Sequence, residues 1–200
     1  MCPYYQNRYL IGSKRYRRYD YSSEGCYFIT INTKKKNQSF GRIENGTMIL
    51  SEIGECLSNE WMRTPLVRPD MNITLDAFVV MPDHFHAIIY IGPNTYNLTT
   101  IRPGCKNAMH GVSTTNRNGV STNASNASYT NNFGPQSKNL SSIIRGVKSS
   151  VTSFARKMNI SFGWHKGYYD HIIRTRIELT RIREYIISNP VNWIENHETR

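Results

Sequence analysis

Long apolar runs are missing from this chain. Nowhere do about 18 apolar residues follow one another, the length a membrane-crossing helix needs, so no membrane span is expected. Acidic residues are scarce: 14 Asp and Glu stand against 25 Lys and Arg, for a formal charge of +11 and a pI near 9.6. Such a surplus on 200 residues points to a polyanionic partner, most often nucleic acid. Cysteines are few and scattered (Cys2, Cys26, Cys56, Cys105), with no C-x-x-C pair. That argues against a zinc ribbon or a disulfide scaffold and fits a reducing compartment. Met1 to Asp20 has no apolar centre, so no secretory signal is expected and the protein is expected in the cytoplasm. Triplets such as Asn45-Gly46-Thr47 are then chance matches to a glycosylation signal.

What is present suits one folded domain over residues 1–200, with 38% hydrophobic and 12% aromatic residues. Residues 1–22 read as an irregular basic arm in which Arg15, Arg17 and Arg18 alternate with tyrosines. That pattern suits phosphate contact and base stacking, and equally a solvated tail. Gly25–Asn32 is a strand by its β-branched and aromatic content. Asn45-Gly46, between Ser39–Arg42 and Thr47–Leu50, signals a hairpin. Ser51 is a predicted N-cap for a helix reaching about Met62, and strands follow over about Ile73–Met81 and His84–Ile91.

Residues 93–137 form a low-complexity insertion rich in Asn, Ser, Thr and Gly, expected to be a long flexible loop able to lie along DNA. From Leu140, apolar residues recur at helical spacing through Phe154. Arg145, Lys148 and Arg156 fall off that stripe, as candidate phosphate contacts. A strand over about Tyr168–Ile173 precedes a last helix, 176–189, which Asn189-Pro190 is expected to end. The predicted fold class is α+β, an antiparallel sheet backed by helices.

Two constellations carry the chemistry. His84 and His86 lie two apart on a predicted strand, so both imidazoles project from one face and make a platform for a metal ion. The plainer alternative is one hydrogen-bonded core histidine and one exposed. On the last helix, Tyr185 and Asn189 are one turn apart at the edge of the apolar stripe Leu179, Ile182, Ile186. They could reach over the sheet, or Tyr185 could pack at the core rim while Asn189 caps the helix.

Four segments appear in a telling order: Tyr19-Asp20-Tyr21-Ser22, Val80-Met81-Pro82-Asp83-His84-Phe85-His86, Trp164 to Arg174, and Glu184-Tyr185-Ile186-Ile187-Ser188-Asn189-Pro190. In that order and spacing the chain resembles the REP-associated tyrosine transposases, a group of the single-tyrosine HUH transposases, outside the 93–137 insertion. The resemblance implies an HUH, RRM-like (ferredoxin-like) domain with His84 and His86 as ligands of a divalent metal, Mg²⁺ or Mn²⁺. It also implies Tyr185 as nucleophile and Asn189 as third ligand or phosphate contact. Related enzymes usually carry Gln at the place of Asn189, and Asp83 stands where Asn or Glu is common.

The implied activity is cleavage and rejoining of single-stranded DNA near hairpins or palindromic repeats. It would run through a 5′-phosphotyrosine in a prokaryotic, nucleoid-associated protein, as monomer or homodimer. A phenol has a pKa of about 10, so such a nucleophile needs nearby positive charge. A metal would polarise the phosphate as a Lewis acid. Two other readings stay open: a non-catalytic nucleic-acid binder, and a metal phosphoesterase in which water attacks. Tyr168, Tyr169 and His171 are expected in structural or DNA-contact roles.

Overall fold

The computed structural model describes residues 4–5, 9–10, 19–98 and 137–198. Most of the 93–137 insertion, and Arg15, Arg17 and Arg18 of the basic arm, lie outside the described residues. The arm, read as irregular, contains one short pairing: β1 (Tyr4–Tyr5) runs antiparallel to β2 (Tyr9–Leu10).

The main sheet is built from β3 (Gly25–Asn32), β6 (Ile73–Val80), β7 (His84–Ile91) and β8 (Tyr169–Ile173). Its spatial order is β6-β7-β3-β8, antiparallel throughout. Helix α1 (Glu52–Met62) links β3 to β6, and α3 (Leu140–Lys157) links β7 to β8. This β-α-β-β-α-β order is ferredoxin-like, as expected. A hairpin of β4 (Gly41–Glu44) and β5 (Thr47–Leu50) precedes α1. Asn45 and Gly46 both take positive φ at its turn, the backbone a two-residue hairpin requires.

Local signals act as physics demands. Ser51 caps α1 by accepting from the Gly54 amide. Asn139 and Ser142 cap α3 reciprocally. The period of two along each strand then separates two cores. Tyr27, Ile29 and Ile31 of β3, with Phe85, Ala87 and Ile89 of β7, face α1 and α3. Cys26 and Phe28, with Ile88 of β7, face the other way, against Leu179 and Ile186 of α4 (Arg176–Glu198). A β-bulge between Leu75 and Phe78 slips the parity of β6, so Phe78 and Val80 rejoin the first core while Ala77 and Val79 face α4.

One sequence expectation fails. Helix α4 does not end at Asn189-Pro190 but runs through Pro190 to Glu198. Proline removes one backbone donor and crowds the carbonyl four residues back. The continuation has a packing partner, because it brings Trp193 to 5.7 Å, centroid to centroid, from the His84 ring. Short helix α2 (Thr64–Val67), which follows α1, was also unexpected. Among the described residues, no helix is long and apolar enough to cross a membrane.

Candidate active site

The sheet face under α4 collects the chemistry at one end, where β3 finishes and β7 and β8 begin. His84 and His86 lie side by side there, ring centroids 4.5 Å apart. Each imidazole is oriented by a partner on Nδ1. His84 Nδ1 donates to Asp83 Oδ1 at 2.6 Å, and Asp83 is itself buried in the Pro82-Asp83 turn. His86 Nδ1 lies 2.8 Å from Thr30 Oγ1, across the β3–β7 pair. In each ring this leaves Nε2 on the side away from that partner.

Tyr185, on α4, brings its hydroxyl to 3.2 Å from His86 Nε2. With Tyr185 donating, the imidazole carries its proton on Nδ1 and gives it to Thr30. Burial, helped by the neighbouring His84, pushes the His86 pKa down to about 3, so this ring is neutral at physiological pH. Phe28 backs the ring by stacking on it at 5.3 Å and 27°. Tyr185 as a residue remains 47% exposed. Asn189, one turn further along α4, is buried.

The two histidines are the side chains here that could hold a divalent cation. Two imidazoles on one rigid strand, each steered through Nδ1 by an oxygen so that Nε2 points out, have the arrangement metal-binding histidines require. Asn189 would add a neutral amide oxygen. Among the described residues, no group of three or more His, Cys, Asp or Glu side chains is placed to hold a metal ion.

The basic helix lies elsewhere. Arg145, Lys148 and Arg156 line an open groove of about 660 Å³ between α3 and Gly167-Tyr168. α3 packs on the opposite face of the sheet from α4. The Lys148 ammonium is already engaged: it donates to the carbonyls of His165 (3.2 Å) and Gly167 and sits 5.4 Å from the Trp164 ring centroid. Burial pushes its pKa down to about 8.

Sequence reasoning missed several neighbours of the site. Thr30, Phe28 and Trp193 had no signal, because each is defined by a partner far along the chain. Lys34, Lys35 and Lys36 had one, an uninterrupted basic triplet at a strand end. They form an exposed 3-10 turn directly after β3, with Lys35 and Lys36 at positive φ. The turn is pinned beside the site, because the Thr33 amide donates to the Asp83 carbonyl and the Lys34 amide to the Gly163 carbonyl.

This fold is shared with a solved REP-associated tyrosine transposase bound to a REP hairpin. The TM-score is 0.53 at 19% identity, over 90% of this chain and 74% of the other. An uncharacterized protein of Haemophilus influenzae (strain ATCC 51907 / DSM 11121 / KW20 / Rd) is 35% identical over 185 residues, covering 90% of this chain and 88% of that protein. The chain belongs to the same family as that protein. No family model matches it.

Proposed function

We propose that this protein cleaves and rejoins single-stranded DNA, with Tyr185 as the attacking group. The observation that carries the reading is the 3.2 Å approach of the Tyr185 hydroxyl to the outward nitrogen of an imidazole that Thr30 orients from behind. A buried, neutral, oriented imidazole beside an accessible phenol is an arrangement for phosphoryl chemistry, and a packing role alone does not call for it.

In the proposed reaction the phenolic oxygen forms a bond to the scissile phosphorus. The bond from phosphorus to the 3′ oxygen breaks. The phenol's proton passes to a base, and the departing 3′ oxygen takes one up, leaving a 5′-phosphotyrosine and a free 3′-hydroxyl. The ester bond is conserved in energy, so a second 3′-hydroxyl can attack the phosphotyrosine and join a new strand without a nucleotide cofactor. Nicking and strand transfer are then one reaction run in two directions.

His84 and His86 through Nε2, with Asn189, would hold a divalent cation, Mn²⁺ or Mg²⁺; when bound it supplies Lewis-acid polarisation of the phosphate. The residues present do the positioning. Asp83 and Thr30 hold the two rings, Phe28 backs His86, and α4 carries Tyr185 over them. His86 Nε2 has one lone pair, which in this structure faces the Tyr185 hydroxyl at 3.2 Å and which a bound cation would also draw on.

The substrate class follows from charge and from the fold. A formal charge of +11 favours a polyanion, and the solved neighbour sharing this fold is bound to a REP hairpin. We take hairpin-flanked single-stranded DNA as the substrate on that basis. The test is a denaturing gel of end-labelled, hairpin-flanked single strands incubated with protein and Mn²⁺ or Mg²⁺. A metal-dependent, protease-sensitive protein–DNA adduct, absent in Tyr185→Phe, is the expected result. Cleavage that survives Tyr185→Phe with no adduct would assign the attack to water. Tight binding without cleavage on every strand would make the protein a binder.

A further inference from the structure

Tyr169 lies in the same cross-strand row as the reacting groups. His86 pairs with Thr30 across β7 and β3, and Thr30 pairs with Tyr169 across β3 and β8. Directly opposed residues in a sheet put their side chains on one face, so the Tyr169 ring stands on the His86 face. Two strand spacings of about 4.8 Å separate their backbones, roughly 10 Å in all. Their rings are bridged by one residue: Phe28 stacks on His86 and meets Tyr169 edge to face, centroids 6.3 Å apart.

α4 does not cover this ring. Its apolar stripe packs on Phe28, Ile88 and Ile173, while Tyr169 stays 55% exposed on the edge strand. The neighbouring candidates of the same motif are committed elsewhere. The Tyr168 hydroxyl meets Ser141 of α3 at 3.1 Å, and His171 Nε2 is held by Glu178 at 2.6 Å. A large exposed aromatic separated by one ring from an oriented imidazole, at the sheet end that also carries Lys34–Lys36, is a surface for a planar ligand attached to phosphate.

We propose that Tyr169 is a stacking platform for a nucleobase flanking the phosphate presented to Tyr185. This rests on the reading of the α4 face as a site for single-stranded DNA. An aromatic on an open sheet face is a recurrent solution for holding unpaired bases, because every base offers a π-face whatever its sequence. The platform fixes the strand next to the reacting phosphate and does not select the base. Tyr169 is not a second nucleophile: its ring neighbours Phe28, and the basic nitrogen of His86 faces Tyr185.

The test measures fluorescence anisotropy of two labelled probes, a mixed-sequence single strand of 20 nucleotides and a strand of the same length made of abasic sites. Tyr169→Ala is expected to weaken binding of the base-bearing strand about 5- to 150-fold and to leave the abasic strand unchanged. Tyr169→Phe and Tyr169→Trp, which keep a ring, are expected to restore it, and the adduct with Tyr185 to persist in Tyr169→Phe. Equal binding by Tyr169→Ala and wild type, or equal losses on both probes, overturns the platform. So does a loss in Tyr169→Phe as large as in Tyr169→Ala. If wild type binds neither probe, the functional reading falls and the platform with it; if wild type binds and cleaves while Tyr169→Ala is unaffected, only the platform falls.

Discussion

The Tyr185 hydroxyl and His86 Nε2 meet at 3.2 Å although they stand 99 positions apart in the chain. The contact joins the helix that covers the sheet to the strand beneath it, at an imidazole whose far nitrogen is held by a threonine. Removing the hydroxyl alone should therefore separate chemistry from folding. Tyr185→Phe keeps the ring contact with Phe28 and loses one half-exposed hydrogen bond, about 0.5–1.5 kcal/mol. The expected outcome is a melting curve close to wild type, retained DNA binding and no covalent adduct. A melting temperature far below wild type would make Tyr185 a structural residue.

Thr30 is the second test, because it touches His86 and has no reason to touch DNA chemistry itself. Thr30→Val has nearly the same shape but cannot accept from Nδ1. Loss of such a partner typically costs 10- to 100-fold in metal affinity. Calorimetric titration of the apoprotein with Mn²⁺ should give that loss, with Thr30→Ser restoring most of it. Unchanged Mn²⁺ binding in Thr30→Val would remove Thr30 from the site.

The lysine turn makes an electrostatic prediction. Lys34, Lys35 and Lys36 are exposed at the end of the sheet that holds the histidines. Each phosphate contact on a single strand contributes about 0.7 to the slope of log K against log salt. Replacing all three by Gln should weaken binding of single-stranded DNA and flatten that slope by up to about 2. A triple variant with the wild-type slope would mean the strand runs elsewhere, with the α3 groove the next surface to examine.

The 99–136 stretch is expected to be dispensable for folding. The chain leaves and returns at one place, since Tyr96 and Lys138 both bond to Asp70 and the Lys138 ammonium lies 5.0 Å from the Tyr96 ring centroid. That place lies close to Gly92, whose amide donates to the Asn72 carbonyl, at the opposite end of β7 from His84. Replacing 99–136 by a short Gly-Ser linker should leave the melting temperature within a few degrees and the adduct intact. Collapse of the fold would make the stretch part of the domain.

Gly54 gives a stability prediction of unusual sign. Alanine in a helix interior normally stabilises by about 1 kcal/mol over glycine. In α1 a Cβ at position 54 would stand 2.1 Å from the Phe40 carbonyl oxygen, a backbone atom that also accepts from Ser51. Gly54→Ala should therefore destabilise by about 1–3 kcal/mol, read from the denaturant midpoint.

Much of this could be read along the chain. Strand alternation put His84 and His86 on one face, because side chains on a strand repeat every second residue. Asn45-Gly46 specified its hairpin, Ser51 its helix start, and the spacing of Leu179, Ile182 and Ile186 put Tyr185 at the margin of the buried stripe of α4. These features depend on residues a few positions apart, so local periodicity and turn chemistry decide them. Pro190 misled for the same reason: its local cost is real, and the continuation past it brings Trp193 against His84, a contact no local rule contains.

Only the tertiary structure decided which imidazole Tyr185 meets, that Thr30 stands 56 positions away behind it, and that Tyr169 shares its row. It also put α3 and its basic residues on the opposite face of the sheet from α4. Those outcomes depend on strand order and on which sheet face each helix covers. Both are set by the burial of whole apolar faces against one another, a sum over distant residues that no short stretch of sequence records.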